Sequence, residues 1–388
     1  MRLLIVSHTP HYRHRDGIVG WGATIREIDE LATLFSSVTH IAPLYAERAP
    51  ASALAYRAVN LRLRAVPPAG GRRWRDKCGI LFRCPEYLRA ILQERRRADV
   101  IHVRAPANLS LLTLPLLALL RRPRLRWVKY AGDWSGGRDE PQSYRLQRWW
   151  LARGWHRGLV TINGHWPDQP AHVRSWLNPC LTATELREGL EASRAKQLCP
   201  PVRLLFVGRL EAAKGAGICL EILAQLAGDG VAASLDLIGD GLGRWRLERR
   251  AQDLGLADRV TFHGGLPRDA LNGFYAAAHF ILLPSVCSEG WPKVLSEAMA
   301  YGVLPVAHGI SSIPEVLHRC STGRSIPTPE PRLFSAAIAS YLEKPLQWRE
   351  HSQNAVLAAS AFSYEKYLEA VRRLLDLPHS MAYWKGTG

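Results

Sequence analysis

Leu204-Leu205-Phe206-Val207-Gly208-Arg209-Leu210-Glu211-Ala212-Ala213-Lys214-Gly215 reads as a buried strand, a glycine turn and the mouth of a helix. Four apolar residues in a row suit a strand covered on both faces, as in a parallel sheet. Two cations five residues apart then flank small residues, and Gly215 opens the helix. A lysine at a helix N-terminus opposes the helix dipole, which favours an anion nearby over a purely structural role. Arg209 and Lys214 are therefore candidates for meeting a diphosphate, whose charge must be neutralised as it leaves. A solvated strand-end arginine and a helix-start lysine are the plainer alternative.

The pattern repeats outward. Strands are expected at Ser234–Ile238, Val260–Phe262, Phe280–Leu283 and Leu304–Ala307, with helices at Ala216–Ala227, Leu242–Leu254, Arg268–Ala277 and Pro292–Tyr301 between them. The first half alternates less cleanly. Strands are expected at Leu3–Ser7, Val38–Ala42, Ala58–Val66, Val100–Arg104, Trp127–Tyr130 and Leu159–Ile162, and helices at Ala23–Phe35, Glu86–Arg97 and Gln142–His156. Strands alternating with helices imply α/β domains with parallel sheets covered on both faces. At 388 residues the chain has room for two such domains. Cys199-Pro200-Pro201 breaks the chain between them. The expected division is 1–190 and 200–361, with a closing helix over 362–377.

The richest segment is Pro284-Ser285-Val286-Cys287-Ser288-Glu289-Gly290-Trp291-Pro292-Lys293-Val294-Leu295-Ser296-Glu297. Pro292 suits a first helical turn. Glu289 then stands at the helix mouth and Glu297 one to two turns inside it. Carboxylates accept hydrogen bonds from sugar hydroxyls, and the backbone N–H groups near Gly290–Lys293 can serve hydroxyl oxygens or phosphate. The alternative is a helix cap with a surface glutamate. Glu297 sits between Leu295 and Ala298, where an unpaired carboxylate would be costly. Ile238-Gly239-Asp240-Gly241 is a weaker signal, since such turns also merely reverse the chain.

In this order FVGRL, the lysine–glycine pair, GDG, VTFHG and SEGWPKVLSEAMAYGVLPVA resemble the donor half of glycosyltransferase family 4 over about residues 203–317. The resemblance implies the GT-B architecture: two doubly wound Rossmann-like domains facing a cleft. It implies retention of anomeric configuration and a UDP- or GDP-sugar donor, with no cofactor and no metal. Arg209 and Lys214 would contact the diphosphate. Glu289 and the backbone around Gly290–Lys293 would meet the sugar, with Gly290, Trp291, Pro292, Lys293 and Val294 as donor contacts. Glu297 would meet the ribose, and His263–Leu266, including Gly264, the base. Gly20-Trp21-Gly22-Ala23 is similar to the family's glycine pair before its first long helix, with Gly22 as a donor contact and Ala23 where the second glycine is usual. The closing helix is similar to the one that returns to the first domain in that family.

One strand end departs from the family. In Trp127-Val128-Lys129-Tyr130-Ala131-Gly132-Asp133-Trp134, Ala131 or Gly132 falls where many members carry a histidine beside the reacting sugar. Asp133 and Lys129 are the polar groups nearby, and Asp133 joins Glu289 as a catalytic candidate. A turn aspartate is the alternative. Asp133 and Asp139 are too far apart to form a metal-binding pair.

Charge is uneven. Residues 1–195 hold 31 Lys+Arg and 16 Asp+Glu, against 20 and 18 in the remainder, within a total of +17. Nine of the 13 tryptophans lie there too, clustered with arginine at 72–77 (Arg72, Arg73, Trp74, Arg75, Lys77) and 145–157. Such composition suits anionic lipid headgroups. It would also suit nucleic acid, or be a basic surface with no partner, though a bias of the whole chain should affect both halves. An anionic membrane surface is the expected partner, with a glycan or lipid-linked acceptor and no nucleic acid. The N-terminus does not read as a signal peptide, and the apolar run Leu109–Leu120 is shorter than the roughly 20 residues that span a bilayer. Seven cysteines without CxxC spacing read as reduced thiols. The expected location is cytoplasmic, peripheral on the inner face of the cell membrane. A sugar-nucleotide epimerase or a non-catalytic nucleotide-sugar-binding protein would share this architecture.

Overall fold

The computed structural model describes residues 1–15, 17–68, 74–137, 140–287 and 290–377, without the side chains of 74–81. Glu289, Arg72, Arg73 and Asp139 lie outside the described residues, as do the side chains of Trp74, Arg75 and Lys77.

Two sheets carry the described chain. The first contains β1 (Arg2–Val6), β2 (His11–His14), β3 (Gly17–Trp21), β4 (Ser37–Tyr45), β5 (Ala53–Ala55), β6 (Leu61–Val66), β7 (Val100–Ala105), β8 (Leu125–Tyr130), β9 (Leu159–Asn163) and β10 (Val173–Trp176). Its parallel body runs β10-β9-β8-β7-β1-β4-β6. Leu3, Leu4, Ile5 and Val6 of β1 are buried on both faces, as a central parallel strand requires. Strands β2, β3 and β5 form an antiparallel annex on the end of β4. β2 is histidine- and arginine-rich, and β3 and β5 are short and contain small residues, so the segment reads as a loop; the pairing of β2 with β3 and β4 makes it a hairpin.

The second sheet contains β11 (Val202–Val207), β12 (Ala233–Ile238), β13 (Val260–Gly264), β14 (Phe280–Leu283), β15 (Leu304–His308) and β16 (Arg324–Ile326). Its order is β13-β12-β11-β14-β15-β16, all parallel. Strand order reverses between β11 and β14, and a doubly wound sheet opens a binding crevice at such a reversal. Close approach at this edge demands glycine. Gly239 has φ +137°, and a Cβ there would lie 1.8 Å from the Gly208 carbonyl oxygen. Gly215 has φ +84°, and its Cβ would lie 2.6 Å from the Pro284 carbonyl.

The helix Ala183–Arg194 starts with a capping box. Thr182 Oγ1 accepts the Glu185 amide at 3.1 Å, and Glu185 Oε2 accepts the Thr182 amide at 2.8 Å. This helix packs on Leu271–Ala277, Lys293–Ala300 and Pro345–Ala359 of the second domain. The final helix, Tyr364–Leu375, returns to the first: Tyr367, Val371 and Leu375 share a core with Leu3, Ile5, Ile28 and Trp127. Among the described residues no helix is long and apolar enough to cross a membrane. The run near Leu109 forms the helix Asn108–Leu119, with Leu109, Leu114 and Leu117 buried.

Candidate active site at the cleft between the sheets

Two segments far apart in sequence meet at the β11/β14 reversal. The Val286 amide donates to the Ala213 carbonyl at 2.9 Å, and Ser285 Oγ donates to it at 3.2 Å. The turn that carries Lys214 is thus tied to the loop after β14. Arg209 is exposed and pairs with Glu211 at 2.8 Å. Lys214 is partly buried, and burial lowers its pKa. Gly239 donates its amide to the Gly264 carbonyl at 2.8 Å, which draws the β13 end to the same edge. Beside it, His263 Nε2 lies 2.7 Å from Asp236 Oδ1.

The segment after Glu289 faces the first domain. Gly290 donates its amide to the Ala131 carbonyl at 3.2 Å and accepts from Ser312 Oγ at 2.6 Å. Trp291 turns inward: its ring stacks on Phe362 at 5.4 Å, and Nε1 donates to Ser296 Oγ at 2.7 Å. Pro292 stands at the N-cap of Lys293–Ala300. Val294 packs on the core of its own domain. Lys293 leaves that domain, its Nζ donating to the Ala23 carbonyl at 2.9 Å and to Glu27 Oε2 at 3.1 Å.

Glu297 is buried and engaged. Tyr275 donates its hydroxyl to Oε2 at 2.9 Å, and Arg268 Nε lies 3.2 Å from Oε1. Arg268 also pairs with Glu185 at 3.2 Å, and Glu185 with Arg26 of the Gly22–Ala32 helix at 2.6 Å. A row of alternating charges therefore runs from Glu297 across to the first domain.

The group 1 glycosyl transferases match residues 193–362. Residues 193–362 are a group 1 glycosyl transferase domain. The chain is 30% identical to a D-inositol 3-phosphate glycosyltransferase of Acidothermus cellulolyticus over 55% of its own length and 49% of the relative's. It is 30% identical to the amylovoran biosynthesis glycosyltransferase AmsK of Erwinia amylovora over 58% and 55% of the two chains. The chain thus spans about half the length of the curated relatives it matches. The fold is that of HepE from Anabaena, solved in complex with UDP-glucose, with a TM-score of 0.68 at 17% identity over 97% and 99% of the chains. Two Rossmann-like domains of the GT-B type are common to both.

The glycosyl transferase domain thus sets Arg209, Lys214, Gly264, Gly290 and Lys293 along the C-terminal edge of its sheet, while the ring of Trp291 and the carboxylate of Glu297 face protein. On the first domain's side, Gly22 donates its amide to the Ser52 carbonyl at 3.2 Å, and a Cβ on Gly22 would lie 2.2 Å from that oxygen. Asp133 holds a turn, its Oδ1 accepting the Ser135 amide at 2.9 Å and the Ser135 hydroxyl at 2.7 Å. That geometry fits the turn-aspartate alternative and engages one of the two carboxylate oxygens.

Glu27, Arg104 and His8, which sequence reading passes over, come forward beside Lys129, which it notes. Glu27 is fully buried and takes Lys129 at 2.6 Å and Arg104 at 2.8 Å on Oε1. Those cations and Lys293 hold its carboxyl well below the usual range against the opposing effect of burial. Burial in turn pushes Lys129 down to about 7, against the attraction of Glu27. His8 follows β1 and is exposed to solvent. The available sign for His8 was its place just past a buried strand. Glu27 gave none, since it reads as an ordinary helix glutamate.

Proposed function

We propose that the chain is a retaining glycosyltransferase that moves a sugar from a UDP- or GDP-sugar to a glycan acceptor, lipid-linked, in the assembly of cell-surface polysaccharide or lipopolysaccharide. The observation that carries this reading is the meeting of the Arg209–Lys214 turn with the loop after β14 at the strand-order reversal, with the Gly239 and Gly264 turns and the Gly290–Glu297 segment along the same sheet edge. Backbone amides, two cations and a helix start gathered at a crevice suit a diphosphate joined to a sugar. The UDP-glucose complex of HepE and the biosynthetic role in the name of AmsK support it.

Arg209 and Lys214 stabilise charge on the departing diphosphate, whose oxygen takes the acceptor's proton on the same face. Arg209 must exchange Glu211 for phosphate, a small cost for an exposed pair. Glu289 meets the sugar, and Glu297 shares its carboxylate between Arg268, Tyr275 and the ribose. No metal is invoked. The acceptor lies against the first domain. Arg145, Leu146, Trp149, Arg153 and Trp155 are exposed there, Trp149 and Trp155 in edge contact at 4.7 Å with Arg153 over Trp149, a combination suited to an anionic bilayer surface on the cytoplasmic side.

Incubation with a panel of UDP- and GDP-sugars, read by mass spectrometry with and without candidate glycan acceptors, tests the reaction. Acceptor-dependent release of UDP or GDP is expected. A new sugar nucleotide without acceptor would identify an epimerase, and binding without turnover a non-catalytic protein. Sedimentation with anionic vesicles at two salt concentrations tests the surface; binding that ignores salt, or none, rejects it.

A further inference from the structure

Among the described residues, the interface between the domains holds more cations than carboxylates. Glu185 and Glu297 are matched by Arg26 and Arg268. Glu27 alone faces Arg104, Lys129 and Lys293. Arg104 and Lys129 are register partners on β7 and β8. Like charges side by side on adjacent strands repel, and burial already lowers the Lys129 pKa to about 7, so Arg104 and Lys293 carry the fixed surplus over Glu27. The surplus lies at the C-terminal ends of the strands, the edge where ligands enter such sheets. Arg104 and Lys293 keep 12% and 19% of their side chains open to solvent, and His8, past the end of neighbouring β1, is exposed.

We propose that Arg104, Lys129 and Lys293 form an anion site that receives a phosphate or carboxylate carried by the acceptor. The anion completes the charge balance that Glu27 leaves unfinished, and Lys293 joins its binding to contact between the domains. Assigning this anion to the acceptor rests on the transferase reading above; the site itself does not. The donor diphosphate is the other source of the same chemistry, and it is expected instead on Arg209 and Lys214.

Calorimetric titration of the full chain with glycerol 3-phosphate, with glycerol, and with UDP tests the proposal. Glycerol 3-phosphate is expected to bind and glycerol not to bind. Arg104→Gln should weaken glycerol 3-phosphate at least tenfold and Arg104→Lys less, with UDP affinity unchanged, because charged hydrogen bonds are among the strong ones. Lys293→Gln should weaken it too, and serves if Arg104→Gln does not fold. Binding that survives both glutamine variants overturns the site. Displacement by saturating UDP overturns the acceptor assignment and gives the site to the donor. Glycerol 3-phosphate binding without any UDP binding would sink the donor reading and leave the site standing.

Discussion

Lys293 of the glycosyl transferase domain ends on Glu27 of the first domain, with Nζ 3.1 Å from a carboxylate that is wholly buried. The segment expected to hold the donor is therefore wired to the opposite wall of the cleft. Lys293→Ala removes this contact and the bond to the Ala23 carbonyl, leaving Glu27 to Arg104 and Lys129. A charged hydrogen bond contributes about 1.5–3 kcal/mol, so kcat/KM should fall roughly 10- to 100-fold. Small-angle scattering should show a larger radius of gyration in the variant. An unchanged radius and rate would mean the contact does not hold the cleft closed.

Gly290→Ala should block closure more severely. Its Cβ would meet Asn163 Nδ2 at 2.0 Å and the Ala131 carbonyl oxygen at 2.7 Å, both in the first domain. Turnover should drop at least about 100-fold, since misplacement by an ångström has that scale of effect. UDP affinity should change only a few-fold. Adding Asn163→Ala should restore part of the activity, because the closer contact goes with it.

Gly239→Ala tests the fold beneath the site. Positive φ and a contact of 1.8 Å with backbone leave no room to adjust. A loss of about 3–5 kcal/mol is expected, a size reserved for strained or overpacked positions. Thermal melting should fall by roughly 10 °C. A melting point within a degree or two of wild type would contradict the close approach of β11 and β12 at their ends.

Glu297 has both a structural and a proposed ribose role, and a deoxy-nucleotide separates them. Glu297→Ala leaves Arg268 short of one carboxylate in a buried setting, which should cost about 3 kcal/mol of stability. Wild type should bind UDP more tightly than 2′-deoxy-UDP. If Glu297 holds the ribose, that preference disappears in the variant. A preference that persists assigns the ribose elsewhere.

Lys129 sets a pH dependence. Its pKa is about 7 in the folded chain against 10.5 for a free lysine. Between those values the unfolded chain binds the proton and the folded chain does not, so this group makes stability rise with pH. The urea midpoint measured from pH 7 to 9.5 should rise, and Lys129→Met should flatten the rise. A slope untouched by the substitution would show that Lys129 stays charged when buried.

Much of the second domain was legible in the chain. Leu204–Val207 and Phe280–Leu283 are short unbroken apolar runs that end in glycine or proline, and periodicity with turn chemistry marks such strands. The annex of β2, β3 and β5 was not legible, because its strands are stabilised by pairing with β4 and have no pattern of their own. The family resemblance implies a donor contact for the backbone around Trp291, but gives no sign that its ring packs against Phe362 in the core. Asp133 was read from its nearness to a missing histidine, whereas its oxygen closes a local turn with Ser135.

Local sequence by itself determined where the strands of the glycosyl transferase domain end and which residues stand there. Those features depend on neighbours a few positions away: apolar runs, glycine at tight turns, proline at a helix start. Tertiary structure alone decided which of those ends face each other. The Ala213–Val286 bond, the Gly290–Ala131 bridge and the three cations on Glu27 join residues 73 to 266 positions apart. Pairing across such distances depends on strand order and on two domains meeting, and no local pattern encodes either. Glu27 shows the difference most plainly: one glutamate in a helix by sequence, and the common counter-ion of both walls of the cleft by structure.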